Sequence, residues 1–174
     1  MLTTLLLMAV PTLLFRVLGA VGVTRFATWR VSAAHGLAFM LLMTGASHFA
    51  PDSVTVMPTH ADSLAMLPSW IPFPDFTIYF SGALEWLGAL GLVITRTRTL
   101  AGIGLAILFV FLLPVNIYAY VNDIQFNGEP PTPLWFRIPE QFVYLAIALW
   151  AALGLEPLRR VLTRLRPATP AVSR

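Results

Sequence analysis

Five times along the chain an apolar run reaches the length of a bilayer span, and that repetition leaves few folds open. A helix rises 1.5 Å per residue, so crossing about 30 Å of hydrocarbon takes about 20 apolar residues in succession. Elements of a soluble core break their apolar runs sooner. The runs here are Leu2 to Val23, Val31 to Ala50, Thr77 to Thr95, Leu100 to Val121 and Ile138 to Leu155. Charged residues make up 11% of the 174, against about 25% in soluble globular domains. The expected fold class is an all-α membrane protein: a four-helix transmembrane bundle built from the last four runs, plus an additional N-terminal transmembrane helix. That divides the chain into an apolar segment at 1–24, a membrane domain at 31–155 and a basic tail at 156–174. A cleaved signal peptide is the competing reading of 1–24, because Pro11 and Arg16 interrupt the run. Against it, no basic stretch precedes the run and no small-residue cleavage site stands out.

The absence of cysteine excludes structural disulfides, thiolate metal sites and thiol redox chemistry by this chain alone. The net charge of +3 comes from arginine only, since the chain has no lysine. Its placement argues for membrane orientation and against nucleic acid as a partner. Arg25 and Arg30 precede the second run, Arg96 and Arg98 fill the turn between the third and fourth, and Arg159, Arg160, Arg164, Arg166 and Arg174 occupy the tail. All fall on one side of an alternating bundle. The other side holds Asp52, His60, Asp62, Asp75, Asp123 and Glu129, with Arg137 at the mouth of the last helix. By the positive-inside bias the tail is cytoplasmic, and a multi-pass location in the cytoplasmic (inner) membrane is expected. Arg159 to Arg166 are expected to be attracted to anionic lipid, and the end of the tail to be disordered.

Two longer connections lie on the outer side. The first, Pro51 to Phe76, contains Pro58, Pro68, Pro72 and Pro74, which forbid a continuous helix, and brings Trp70, Phe73 and Phe76 to the point of re-entry. The second, Asn122 to Arg137, contains Pro130, Pro131 and Pro133 followed by Trp135 and Phe136. Both read as caps on the outer interface, where amphipathic rings settle.

Polar side chains inside a bilayer are costly, about 2.5–3.5 kcal/mol for a central Asp or Arg, so each needs a partner or a purpose. His48 lies in the last turn of the second run, Glu85 two turns into the third, Asn116 near the outer end of the fourth, and Arg137 with Gln141 opens the fifth. All belong to the outer leaflet. Residues three, four and seven apart share a helix face. That rule groups Thr44, Gly45 and His48; Ser81, Glu85 and Gly88; Asn116, Tyr120 and Asp123; and Arg137, Gln141 and Tyr144. Turned inward, these faces let Glu85 meet Arg137 or His48, with the Asn and Gln amides satisfying the remainder. Pro114 frees a carbonyl near Val110 and kinks the fourth run beside Asn116. The constellation admits two interpretations: a buried network that sets helix register, or a site open to a lipid-soluble molecule or a proton.

Haem is not expected within a single chain. His35 and His48 are about 20 Å apart along one helix, on roughly opposite faces, and no other membrane helix has a histidine. His35 reads as a packed residue and His60 as a loop residue. No zinc motif, phosphate loop or nucleophile elbow is present, and no metal ligands are assigned.

The ordered series His48-Phe49, Ser81-Gly82-Ala83-Leu84-Glu85, Thr95-Arg96-Thr97-Arg98, Pro114-Val115-Asn116 and Arg137-Ile138-Pro139-Glu140-Gln141 resembles the DoxX-like membrane proteins. The resemblance covers about Ala33 to Leu155. It implies a four-helix bacterial membrane protein with redox or quinone associations, the family taking its name from a subunit associated with a thiosulfate:quinone oxidoreductase. On matching positions His48, Glu85, Asn116, Arg137 and Gln141 are the family-pattern polar residues. The N-terminal run is an addition to the four-helix core, and the lack of cysteine separates this chain from thiol-handling relatives. The function expected is binding of a quinone or similar amphiphile in a polar outer-leaflet cavity, with a redox partner protein and no enzymatic activity of the chain alone. The alternatives are a small-solute or lipid transporter and an assembly partner of a membrane complex.

Overall fold

A computed structural model describes residues 2–154. The basic tail, with its expected disorder and lipid attraction, lies outside them. Helices α1 (Thr3–Ala20), α2 (Trp29–Ser47), α4 (Pro74–Val93), α5 (Arg98–Val121) and α6 (Leu134–Leu153) are the long elements, and α3 (His60–Ala65) is a short helix in the connection between α2 and α4. Three helix starts have a local cause. The Thr28 side chain caps α2 by accepting from the Val31 amide. Thr59 and Asp62 form a reciprocal capping box on α3. Pro74 occupies the first turn of α4, where its missing N–H costs nothing. In the connection between α5 and α6 Phe126 and Glu129 pair across Asn127 and Gly128, both with positive φ (54° and 70°). This two-residue turn is the type that Asn-Gly favours.

α2, α4, α5 and α6 close a ring in which each helix packs on its two neighbours, and α1 lies against α2 outside that ring. Leu37 and Leu41 of α2, Leu92 of α4, Leu105 and Phe109 of α5 and Tyr144 and Ala148 of α6 fill the middle. Close approach is bought with small residues. A side chain at Gly36 would run into Thr12 and Met8 of α1, and one at Gly102 into the α6 backbone at Ala148.

The outer faces are the reverse of a soluble protein's. Leu6, Leu13, Leu14 and Val17 on α1, Phe80, Leu87 and Leu90 on α4, and Ile107, Val110 and Phe111 on α5 are all exposed. An apolar belt of that extent is incompatible with water and suited to lipid. α1, α4, α5 and α6 are each long and apolar enough to cross a membrane, with mean hydropathies of 1.7, 1.4, 2.5 and 1.2. α2 is as long but more polar, and it is the most enclosed, with Ser32, His35, Gly36, Gly45 and Ser47 all buried. The chain is an all-α membrane protein, a four-helix bundle with an added N-terminal helix.

Four boundaries differ from the sequence expectation. α2 ends at Ser47, so His48 is its C-cap and not part of its last turn, and α4 starts at Pro74, so Asp75 and Phe76 are helical and not in the connection. Arg98 does not lie in the turn with Arg96: it is the first residue of α5 and is buried, its Nε donating to the Leu92 carbonyl at 2.8 Å. α6 starts at Leu134, so Trp135 and Phe136 are helical and Arg137 stands one turn inside rather than at the mouth. The proline cluster ends at Pro133, whose fixed φ launches the helix.

Candidate functional site

The antiparallel course of the helices brings the last turn of α2, the first turns of α4 and α6, the end of α5 and the start of α1 to one end of the bundle. The sequence-predicted site residues gather toward that end in two clusters, with Glu85 the deepest, about three turns into α4. No hydrogen bond or ion pair joins the clusters among the described residues.

The first cluster spans α2 and α4. Glu85, 5% exposed, accepts a hydrogen bond from the Thr44 hydroxyl on Oε2 at 2.5 Å. Its Oε1 faces His48 Nε2 at 3.7 Å. His48 Nδ1 lies 3.0 Å from the Ile78 carbonyl and 3.1 Å from the Ser81 hydroxyl, which itself donates to Ile78 at 2.9 Å. The carbonyl can only accept, so Nδ1 carries a proton and Nε2 is directed at the carboxyl group. Gly82 makes the approach feasible, because a β-carbon there would collide with His48 and Phe49. Of the two partners the sequence offered Glu85, the structure selects His48.

Arg137 belongs to the second cluster. Its Nη1 pairs with Glu140 Oε2 at 2.8 Å and its Nε donates to Asn116 Oδ1 at 2.9 Å. Glu140 is 3% exposed, and its Oε1 accepts from Tyr144 at 2.7 Å and from Thr4 of α1 at 2.6 Å. Asn116 Nδ2 donates to Leu112 and Gln141 Nε2 to Phe109, each through a backbone carbonyl. The carbonyl that Pro114 releases, that of Val110, is used by neither amide. Glu140 and Thr4 are therefore site residues that sequence reasoning missed. Glu140 was signalled by its i,i+3 spacing from Arg137, which puts both on one face. Thr4 carried no signal, since only the packing of α1 brings it within reach.

At this end the α2–α4 and α5–α6 connections are tied together. His60, expected in a loop, starts α3 and joins three elements. Its Nδ1 donates to the His48 carbonyl at 2.9 Å, its Nε2 lies 3.0 Å from Asp75 at the start of α4, and its ring stacks on Tyr79 at 4.2 Å. Desolvation pulls the His60 pKa down, but the Asp75 carboxylate and the His48 carbonyl outweigh it and hold the pKa above 6.5. Asp62 accepts from Thr59 and also from the Asn127 amide at 3.2 Å, linking the first connection to the second.

The opposite end is built differently. Arg30 donates to the Ala151 and Ala152 carbonyls at the end of α6, and Arg25 and Arg98 reach the Val93 carbonyl at the end of α4. Cations there meet the negative ends of the helix dipoles. His35 is packed between Phe15 and Phe26 with Nδ1 on the Val31 carbonyl, as its sequence position suggested. Among the described residues no His, Cys, Asp and Glu cluster of three or more could hold a metal ion.

No curated protein and no solved structure compared with the chain matches it. A family model described as a domain of unknown function, DUF8561, matches residues 37–152, from the middle of α2 to the end of α6. The match includes every residue of both clusters except Thr4, and the chain belongs to the DUF8561 family.

Proposed function

We propose that this protein is a DoxX-like component of the bacterial cytoplasmic membrane that binds a quinone or similar amphiphile at its carboxylate-bearing end. That end would face the outer leaflet and the tail the cytoplasm, in keeping with the arginine distribution. The observation that carries the proposal is the pairing of Glu85 with His48. Oε1 and Nε2 face each other at 3.7 Å, beyond hydrogen-bond length, inside an apolar bundle that needs no carboxylate for packing. A carbonyl or hydroxyl group placed alongside the pair would find an acceptor in Nε2 and, with the carboxyl group protonated, a donor in Oε1. Thr44 fixes the carboxyl rotamer through Oε2, and Ser81 and Ile78 fix the imidazole through Nδ1. The pair is thus oriented to exchange a proton with a bound head group. Arg137, Asn116 and Gln141 shape the adjoining wall, with the arginine charge taken up by Glu140. Electron transfer would come from a partner protein.

Mass spectrometry of molecules co-purifying with the wild type and with Glu85→Gln, alongside an optical spectrum of each, tests the proposal. A quinone retained by the wild type and depleted in the variant is expected. Equal retention in Glu85→Gln and His48→Ala would remove the site.

A further inference from the structure

A groove of about 470 Å³ runs between α4 and α5, from Leu84 beside Glu85 to the arginine end, and neither polar cluster contributes a side chain to its lining. Its volume falls within the roughly 300–1,000 Å³ of small-molecule clefts. Leu87, Leu90 and Ile94 form one wall, and Leu100 and Leu108 the other. From Leu84 to Ile94 it extends along α4 for about 15 Å, half of the hydrocarbon thickness. The groove therefore has the length of a single leaflet.

Three glycines line it, and they are not equivalent. A side chain on Gly88 would strike Leu105 and one on Gly91 would strike Ala101, so helix packing accounts for both. A β-carbon on Gly104 would meet nothing within 4 Å. Nearby outward positions of α5 carry Ile103, Ile107 and Phe111, all exposed, so Gly104 leaves a notch in an otherwise bulky face. Glycine is a poor helix former, and no protein contact repays its use there.

The mouth of the groove is the α4–α5 turn. Arg96 is exposed in it and makes no hydrogen bond or ion pair among the described residues, unlike Arg25, Arg30 and Arg98, which are bound to carbonyls. The sequence from Trp86 to Asn122, which holds the turn and α5, contains no acidic residue. We infer that the groove binds one anionic phospholipid, its acyl chain against Gly104 and its phosphate at Arg96. A second copy of the chain fits less well, because a two-fold contact through this face would bring the Arg96 side chains of both copies together.

The test uses full-length protein reconstituted with an equimolar mixture of phosphatidylglycerol and phosphatidylcholine, then examined by native mass spectrometry. The wild type should retain one phosphatidylglycerol. Gly104→Leu, whose β-carbon meets nothing within 4 Å, should fill the notch and lose it. Arg96→Gln, in an exposed turn, should lower the preference for phosphatidylglycerol about fivefold, the effect of one arginine near an anionic surface. Retention unchanged by Gly104→Leu, a preference unchanged by Arg96→Gln, or a lipid-free dimer that Gly104→Leu disrupts would each overturn the assignment. The glutamate variants used for the carboxylate site leave this readout untouched, so the two proposals fail separately.

Discussion

The two ends of the bundle use arginine in opposite ways. At the arginine end Arg25, Arg30 and Arg98 bind main-chain carbonyls of α4 and α6, partners that carry no formal charge and that the helix termini would leave unsatisfied in any case. At the carboxylate end Arg137 is matched to a buried anion, which two hydroxyl groups from different helices also hold. The first arrangement closes helix termini and could be made with many sequences. The second creates an interdependence among α1, α5 and α6 in which each group is costly without the others.

That difference sets an order of expected effects. Arg137→Ala leaves Glu140 as an uncompensated buried charge and should destabilise the protein by about 3–5 kcal/mol, read as a lowered unfolding midpoint in detergent. Replacing the pair together, Arg137→Met with Glu140→Leu, should recover most of that loss. Gly82→Ala should cost about 1–3 kcal/mol by driving His48 away from Glu85, and it should reduce quinone retention as strongly as removing the histidine. Arg30→Ala, at the other end, should cost only about 1 kcal/mol, since what remains is a pair of neutral carbonyls. If Arg30→Ala proves as damaging as Arg137→Ala, the contrast between the ends does not hold.

The smallest effect is a dependence on pH. The His60 pKa is raised on folding, so its contribution is complete below the ordinary histidine value of 6.5 and is lost as pH rises through the folded value. Asp75 is 68% exposed, so solvent screens the interaction and the change is a shallow decline in unfolding midpoint. His60→Gln should flatten it. The arginine contacts should show no such decline, since guanidinium does not deprotonate in proteins.

The five long helices and the pairing of both longer connections at one end of the bundle were legible in the sequence, because hydrocarbon thickness imposes a length and helical periodicity imposes faces; α2 alone falls short of the hydropathy of a span. Partner choice was not. Glu85 had two candidates at equal depth, and only the packing of α2 against α4, made close by Gly82, decides for His48. Glu140 stands three residues after Arg137, a spacing that puts both on one helix face and marks it as a partner. The tight turn at Asn127-Gly128 also carried a local signal that the count of prolines around it obscured. The role of His60 had no local signal at all, because it depends on three segments meeting in space.

The polarity of α2 also bears on how the protein is made. A translocon admits a segment by its own hydrophobicity, and Arg30, His35, Thr44 and Ser47 make α2 a weak candidate by itself. Its neighbour α1 is strongly apolar, precedes it across a short turn, and packs along it. Entry of the two as a helical hairpin would let the first segment carry the second into the bilayer, so that removing α1 would reduce yield at the stage of membrane insertion, before any site had formed.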